Sequence, residues 1–273
     1  VKFKARVLLE LGAELISSDA VALYELIKNA IDAGSEAVDI YISIAMQPSA
    51  ANELRELYTA IPDGGWDADS FRKDAEDRLH PSATDEQRSA FMADLGNRTS
   101  RDSALKYLDR ALLKHNSIVL QDTGKGMTLE TLDSCYLTVG TTMRLVERSM
   151  AKAGERVPLG EKGIGRLAAM RLGHYVQVDT GVKGDSRVHE LVLDWRPVFK
   201  DYDLDASALE FKPTVSDTEK KKGETGTAIR IFDLQSDWDE EKIQRLSETE
   251  LVKLADPFDN NFANQFLNVH FQG

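Results

Sequence analysis

Glu25, Asn29 and Asp32 stand at i, i+4 and i+7 in a segment that also carries Leu23, Leu26, Ile27, Ala30 and Ile31. In a helix these three polar positions share one stripe about 60° wide, and the apolar positions lie opposite. The stripe sets a carboxylate able to polarise water beside an amide oxygen able to ligate a hard cation such as Mg²⁺, which takes oxygen ligands and keeps several waters. The solvated face of an ordinary amphipathic helix has the same pattern. Further on, Asp122-Thr123-Gly124-Lys125-Gly126-Met127 closes the apolar run Ser117–Gln121. Alternating glycines behind an Asp let a flat ligand approach the backbone. An ionised Asp accepts a hydrogen bond there, which suits the exocyclic amino group of adenine and excludes the carbonyl of guanine. A tight turn uses the same residues. Third, Gly160-Glu161-Lys162-Gly163-Ile164-Gly165-Arg166 runs into a helix-prone segment. Backbone N–H groups at a helix start form an anion site, with Lys162 and Arg166 as candidate charges; a capped Gly-rich surface loop is the alternative. The spacing is neither a Walker A loop nor G-x-G-x-x-G.

Each cluster needs an element to hold it. Ser17-Ser18-Asp19 supplies N-cap chemistry for a helix running to about Ala33, with Gly34 as its stop. Residues 1–16 read as a leading strand or helix and a turn. The alternating Ala37–Met46 predicts a strand, as do Ser117–Gln121, Tyr175–Thr180, Val188–Trp195, Thr227–Phe232 and Phe266–Phe271. A helix is expected from Gly165 to Leu172 and another from Asp239 to Leu254. Residues 47–116 read as a helical insertion between two strands, with a capping box at Thr84-Asp85-Glu86-Gln87 and an amphipathic run through Ala104, Leu105, Leu108, Ala111 and Leu112. Lys220-Lys221-Lys222 reads as a solvated loop. Strands and helices interleave without β-α-β spacing, so the class is α+β.

Lys plus Arg number 34 against 46 Asp plus Glu, a net charge of −12, which disfavours a surface that coats nucleic acid but leaves room for a local basic groove. The single cysteine, Cys135, excludes a disulfide within the chain and a zinc site of several thiolates, and the reducing cytoplasm is the expected location. No run approaches the roughly 20 apolar residues of a membrane helix. The first segment is too charged for the apolar region of a signal peptide. The chain opens on Val rather than Met, so processing, or a piece cut from something longer, is expected. The five histidines show no ligand spacing, and Trp66, Trp195 and Trp238 read as packing residues.

Taken in order, Glu25-x-x-x-Asn29-x-x-Asp32-Ala33, Asp122-x-Gly124-x-Gly126, Gly160-x-x-Gly163-x-Gly165 and Gly226-Thr227 resemble the motifs of the GHKL ATPase family. That family includes gyrase B, Hsp90-type chaperones, histidine kinases, MutL-type proteins and MORC proteins. The resemblance implies a two-layer Bergerat-type α/β sandwich with a mixed sheet, a helical layer and a mobile lid over residues 138–165. The ATP-binding domain would span 1–235, and 236–273 would begin a following domain. It implies ATP and Mg²⁺ as cofactors: Glu25 as general base, Asn29 on the metal, Asp32 and Ala33 supporting the site. Asp122 would read adenine, with Gly126 and Met127 beside the ring, Thr227 helping through a hydroxyl or water, and Gly124 among the nucleotide-binding residues. Gly140, Thr141 and Thr142 resemble the Gly-Thr stretch near the phosphates, and Gly160, Lys162, Gly163, Ile164, Gly165 and Arg166 would cradle them. Glu25 favours hydrolysis over phosphotransfer to a histidine.

The function implied is a slow ATPase acting as a conformational switch, homodimeric on ATP binding, within a larger protein of Hsp90-like, MORC-like or MutL-like type, bacterial defence being one setting. Two other classes stay open: a nucleotide-sensing module that does not hydrolyse, and an ATPase that controls a DNA clamp or nuclease, touching nucleic acid only through other domains. No membrane partner is expected. The insertion serves a partner, an adjacent domain or lid control, or is merely tolerated.

Overall fold

The computed structural model describes residues 4–7, 10, 14, 16–62, 64–136, 165–201, 203–209, 211–249 and 266–272. The architecture is α+β, built on one seven-stranded mixed sheet of order β5-β4-β3-β6-β2-β1-β7. The strands are β1 (Val38–Ser43), β2 (Ser117–Asp122), β3 (Gly173–Gly181), β4 (Arg187–Asp194), β5 (Thr214–Glu219), β6 (Gly226–Leu234) and β7 (Leu267–Gln272). Among the described strands, only the β1–β7 pairing is parallel.

Helix α1 (Asp19–Asp32) begins where Ser18 Oγ accepts from the Val21 N–H at 3.2 Å, and Asp19 complements the positive end of the helix dipole. It buries Leu23, Leu26, Ile27, Ala30 and Ile31 against the sheet and leaves Glu25, Asn29 and Asp32 half-buried on another face. Alternation in β1 places Val38, Ile40 and Ile42 in the core.

Between β1 and β2 come α2 (Pro48–Thr59), α3 (Ala68–Asp77), α4 (Asp85–Leu95) and α5 (Arg101–His115). They enclose a second core around Leu54, Tyr58, Phe71, Phe91, Leu95 and Leu108. The capping box closes as expected, Thr84 Oγ1 accepting from Gln87 N–H and Gln87 Oε1 from Thr84 N–H. Because Ser43 pairs with Ser117 in the antiparallel β1–β2 ladder, these helices emerge at the end of the sheet opposite Asp122. There Gln47 and Ser49 bond to Trp238 and Asp237 beyond β6.

After β2 come the single turn α6 (Leu129–Thr131), then α7 (Gly165–Leu172), α8 (Arg196–Lys200) and α9 (Glu240–Thr249). Helix α7 packs against α1 and runs directly into β3. The alternation of apolar residues anticipates six of the strands to within two or three residues at most ends. The seventh, β5, differs: it is an edge strand whose side chains are almost all exposed, so it carries no apolar rhythm. Lys220 departs from the solvated reading. Its ammonium is half-buried and donates to the carbonyls of Val182, Asp185 and Glu224 at 2.8, 2.7 and 2.8 Å, stitching the β3–β4 turn to the β5–β6 turn.

Candidate nucleotide site

The cross-strand register stacks the core-facing side chains of the sheet into rows. One row is aliphatic on five strands, Ile40, Leu120, Ile229, Val178 and Leu191, and so is the next, Ile42, Ile118, Ile231, Val176 and Leu193. The third row, at the end of the sheet where β2 finishes, is different. Beyond Val38 on β1 it reads Asp122 on β2, Thr227 on β6, Thr180 on β3 and His189 on β4. All four are buried. Burying polar groups costs free energy unless they are paired, so four in a continuous line require partners, and each has them.

Asp122 Oδ1 accepts from the N–H groups of Gly124 and Thr227 at 2.8 and 3.3 Å. Among the described residues, nothing donates to its Oδ2. Burial pushes its carboxyl above the ordinary range, against the opposing pull of those two N–H groups. Thr180 Oγ1 receives the Met127 N–H at 2.9 Å and meets Thr227 Oγ1 at 3.0 Å and the Gly226 carbonyl at 3.1 Å. His189 reaches the Met127 carbonyl with Nδ1 at 2.9 Å. The turn after Asp122 is thereby sewn to two strands. Two glycines permit it: at Gly126 (φ +70°) a Cβ would lie 2.0 Å from the Gly181 carbonyl oxygen, and at Gly226 (φ +135°) 2.1 Å from that of Asp122.

The same turn holds the end of α1. Lys125 N–H donates to the Ala33 carbonyl at 3.0 Å, and Ser35 Oγ lies 3.1 Å from Thr123 Oγ1 and accepts the Thr123 N–H at 2.9 Å. The Glu25–Asn29–Asp32 stripe thus leads away from the turn, Glu25 about 10 Å from Asp32 along the axis. Glu25 Oε1 stands 3.5 Å from the Lys28 ammonium, and both side chains are largely buried.

Helix α7 lies alongside in the opposite direction. Its Arg171 Nε is 3.6 Å from Asp19 Oδ1, which joins the last turn of α7 to the first residue of α1. From Arg171 back to Gly165, and from Asp19 forward to Glu25, is the same six residues, about 9 Å of rise in each helix. The N-terminus of α7 carries the positive end of that helix's dipole.

The structure brings Ala33, Asp122, Gly124, Gly126, Met127 and Thr227 into one assembly, with Asp32, Asn29 and Glu25 extending from it along α1. Gly165 and Arg166 lie in the first turn of α7. Gly140, Thr141, Thr142, Gly160, Lys162, Gly163 and Ile164, and the lid expected over 138–165, lie outside the described residues. Thr180, His189 and Lys28 were not anticipated. The signal for the first two is present in the chain: each continues the buried phase of a strand (Val176, Val178, Thr180; His189, Leu191, Leu193), a polar residue where alternation calls for an aliphatic one. Lys28 stands three residues after Glu25, a helical neighbour.

Among the described residues, no group of three His, Cys, Asp or Glu side chains is placed to hold a metal, and no helix is long and apolar enough to cross a membrane. Residues 100–227 match the family model described as Histidine kinase-, DNA gyrase B-, and HSP90-like ATPase. The matched span contains the whole polar row and its turn, while α1 precedes it. No curated protein matches the chain.

Proposed function

Since the chain belongs to the GHKL family of histidine kinase-, gyrase B- and HSP90-like ATPases, we propose that it binds and hydrolyses ATP and acts as a Mg-ATP-driven conformational switch. The observation that carries this reading is the buried polar row, with one oxygen of Asp122 spoken for and the other without a donor among the described residues. Asp122 Oδ2 accepts from the adenine amino group, Thr227 adds a hydroxyl, and the backbone of Gly126 and Met127 lies along the ring. An amino group is a donor and completes the carboxylate, whereas the guanine carbonyl would set oxygen against oxygen.

From the base, the phosphates extend along α1. Glu25 takes a proton from the water that attacks the terminal phosphorus as the bond to ADP breaks, a role worth about 10²–10⁴-fold in rate. The N–H groups at the start of α7 and the Lys28 ammonium stabilise charge on the phosphate oxygens. The donor chemistry of the stripe suits Mg²⁺: Asn29 offers a neutral amide oxygen next to carboxylates, and a cation that keeps waters and phosphate oxygens needs few protein ligands. Bound through Asn29, Mg²⁺ would neutralise and orient the phosphates. Asp32 supports the stripe at the turn.

Family likeness, rather than geometry, supports the rest of the proposal. This comprises closure of residues 138–165, pairing of two copies on ATP binding, a cytoplasmic setting and a place in a larger MORC-like, MutL-like or defence protein. ATP turnover and binding of a non-hydrolysable analogue, measured on one preparation of wild type and Glu25→Gln, test the reading. Retained binding with turnover reduced about 10²–10⁴-fold is expected. Unchanged turnover removes Glu25 as base, and binding without turnover in the wild type favours the sensing module.

A further inference from the structure

We propose that His189 is a positioning residue for the purine-reading turn and that the charge on its ring sets the affinity of the site for nucleotide, a proposal that rests on the ATP reading above. His189 is on β4, its side chain 6% exposed. Nδ1 lies 2.9 Å from the Met127 carbonyl oxygen and Nε2 lies 3.1 Å from Asp185 Oδ2. Both partners are acceptors. A neutral imidazole has one N–H and satisfies one of them; only the doubly protonated ring donates to both.

Among the described residues the ring has no other hydrogen-bond partner. Its register partners are Thr180 on β3 and Val215 on β5. The Thr180 hydroxyl is engaged with Met127 N–H, Gly226 and Thr227, and Val215 offers nothing polar. Asp185, in the β3–β4 turn, is the charged group in contact. Its Oδ1 accepts the Arg187 N–H at 2.9 Å, and its carbonyl accepts from the Lys220 ammonium at 2.7 Å, so the carboxylate is anchored on both sides. The Arg187 N–H, with help from His189, holds the Asp185 carboxyl below the ordinary carboxylate range, so it remains an acceptor through neutral pH.

Met127 is tied at both of its backbone polar groups, its N–H by Thr180 and its carbonyl by His189. The residue whose backbone borders the adenine ring is therefore placed by two members of the polar row. When the ring is charged, both of its bonds stand. When it loses a proton, either the Met127 carbonyl or Asp185 loses its donor, and the turn loosens. Affinity should therefore fall when the ring gives up its second proton.

The test is calorimetric titration of the wild type, His189→Asn and His189→Phe with an ATP analogue and Mg²⁺ from pH 6 to 8.5. Ionisation of the nucleotide and of Asp122 is common to all three, so the reading is the ratio of affinities. Asn places an amide donor near the position of Nδ1 and does not titrate. The wild type should weaken about 3- to 10-fold relative to His189→Asn across the range, and His189→Phe should be weak throughout. ¹⁵N NMR of the ligand-free wild type should show the Met127 amide shifting in step with the protonation of the ring nitrogens. Parallel pH profiles for wild type and His189→Asn, or a Met127 amide that ignores the protonation of the ring, overturn the proposal while leaving ATP binding intact. No nucleotide binding at any pH in the wild type overturns the ATP reading and this proposal with it. His189→Asn keeps the comparison decisive if His189→Phe does not fold.

Discussion

Ala33, the cap of the first helix, and Gly124, in the aspartyl turn, are in such close contact that a Cβ on residue 124 would lie 2.7 Å from the Ala33 Cβ and 3.1 Å from its carbonyl oxygen. Neither neighbour is the end of a flexible side chain, so the backbone would have to give. Gly124→Ala should cost about 1–3 kcal/mol of stability through overpacking. By pushing the turn off α1 it should also lower ATP affinity more than tenfold, an order-of-magnitude expectation from the same strain. Thermal melting and calorimetric titration of one preparation check both.

Asp122→Asn separates function from stability. Asn can still accept from Gly124 and Thr227, but it presents a donor to the adenine amino group, so affinity should fall about 10- to 100-fold. The stability effect runs the other way. The folded carboxyl is pushed above its unfolded value, so the folded state binds the extra proton and the stability it contributes is lost as pH rises through the folded value. At pH 7 the ligand-free variant should melt at the same temperature as the wild type or higher, with the difference vanishing in acid.

Asp19 tests how the two helices are held in step. Its Oδ2 accepts from Ser236 Oγ at 2.5 Å and Lys242 Nζ at 2.6 Å, while Oδ1 faces Arg171. Asp19→Asn leaves two cations facing a neutral amide. Both are partly exposed, so the loss should be about 1–3 kcal/mol rather than the full cost of a buried pair. Since Asp19 joins the start of α1, the helix that carries Glu25, to the end of α7, turnover should fall more than ATP affinity, as steady-state kinetics would show.

Phe91 lies at the centre of the second core, at the far end of the sheet from Asp122. Phe91→Ala should cost about 3–5 kcal/mol. Nucleotide affinity under conditions where the protein stays folded should change less than about threefold, because distant sites with no shared partners are nearly additive.

Much of this was legible because local chemistry decided it. Ser18, Thr84 and Gly34 punctuate their helices, and alternation in Val38–Ser43 and Gly173–Gly181 fixes which face is buried. The three motifs supplied one side of the site for the same reason. What alternation could not supply was register. Nothing within β3 or β4 says that Thr180 and His189 will line up with Asp122, since that depends on pairings across 47 residues and more. Strand β5 escaped because an edge open to water needs no apolar phase, and Lys220 because its partners are backbone carbonyls, which leave no mark in composition.

The central claim is that a single nucleotide spans the polar row and the α1 stripe. Amide chemical-shift mapping with adenosine, and then with an ATP analogue and Mg²⁺, tests it directly. Adenosine should move the signals of Gly124, Gly126, Met127 and Thr227 alone, and the analogue should move these together with Glu25, Asn29 and the first turn of α7. Shifts confined to the insertion helices or the outer sheet face, or an analogue that reaches one half of the site without the other, would contradict it.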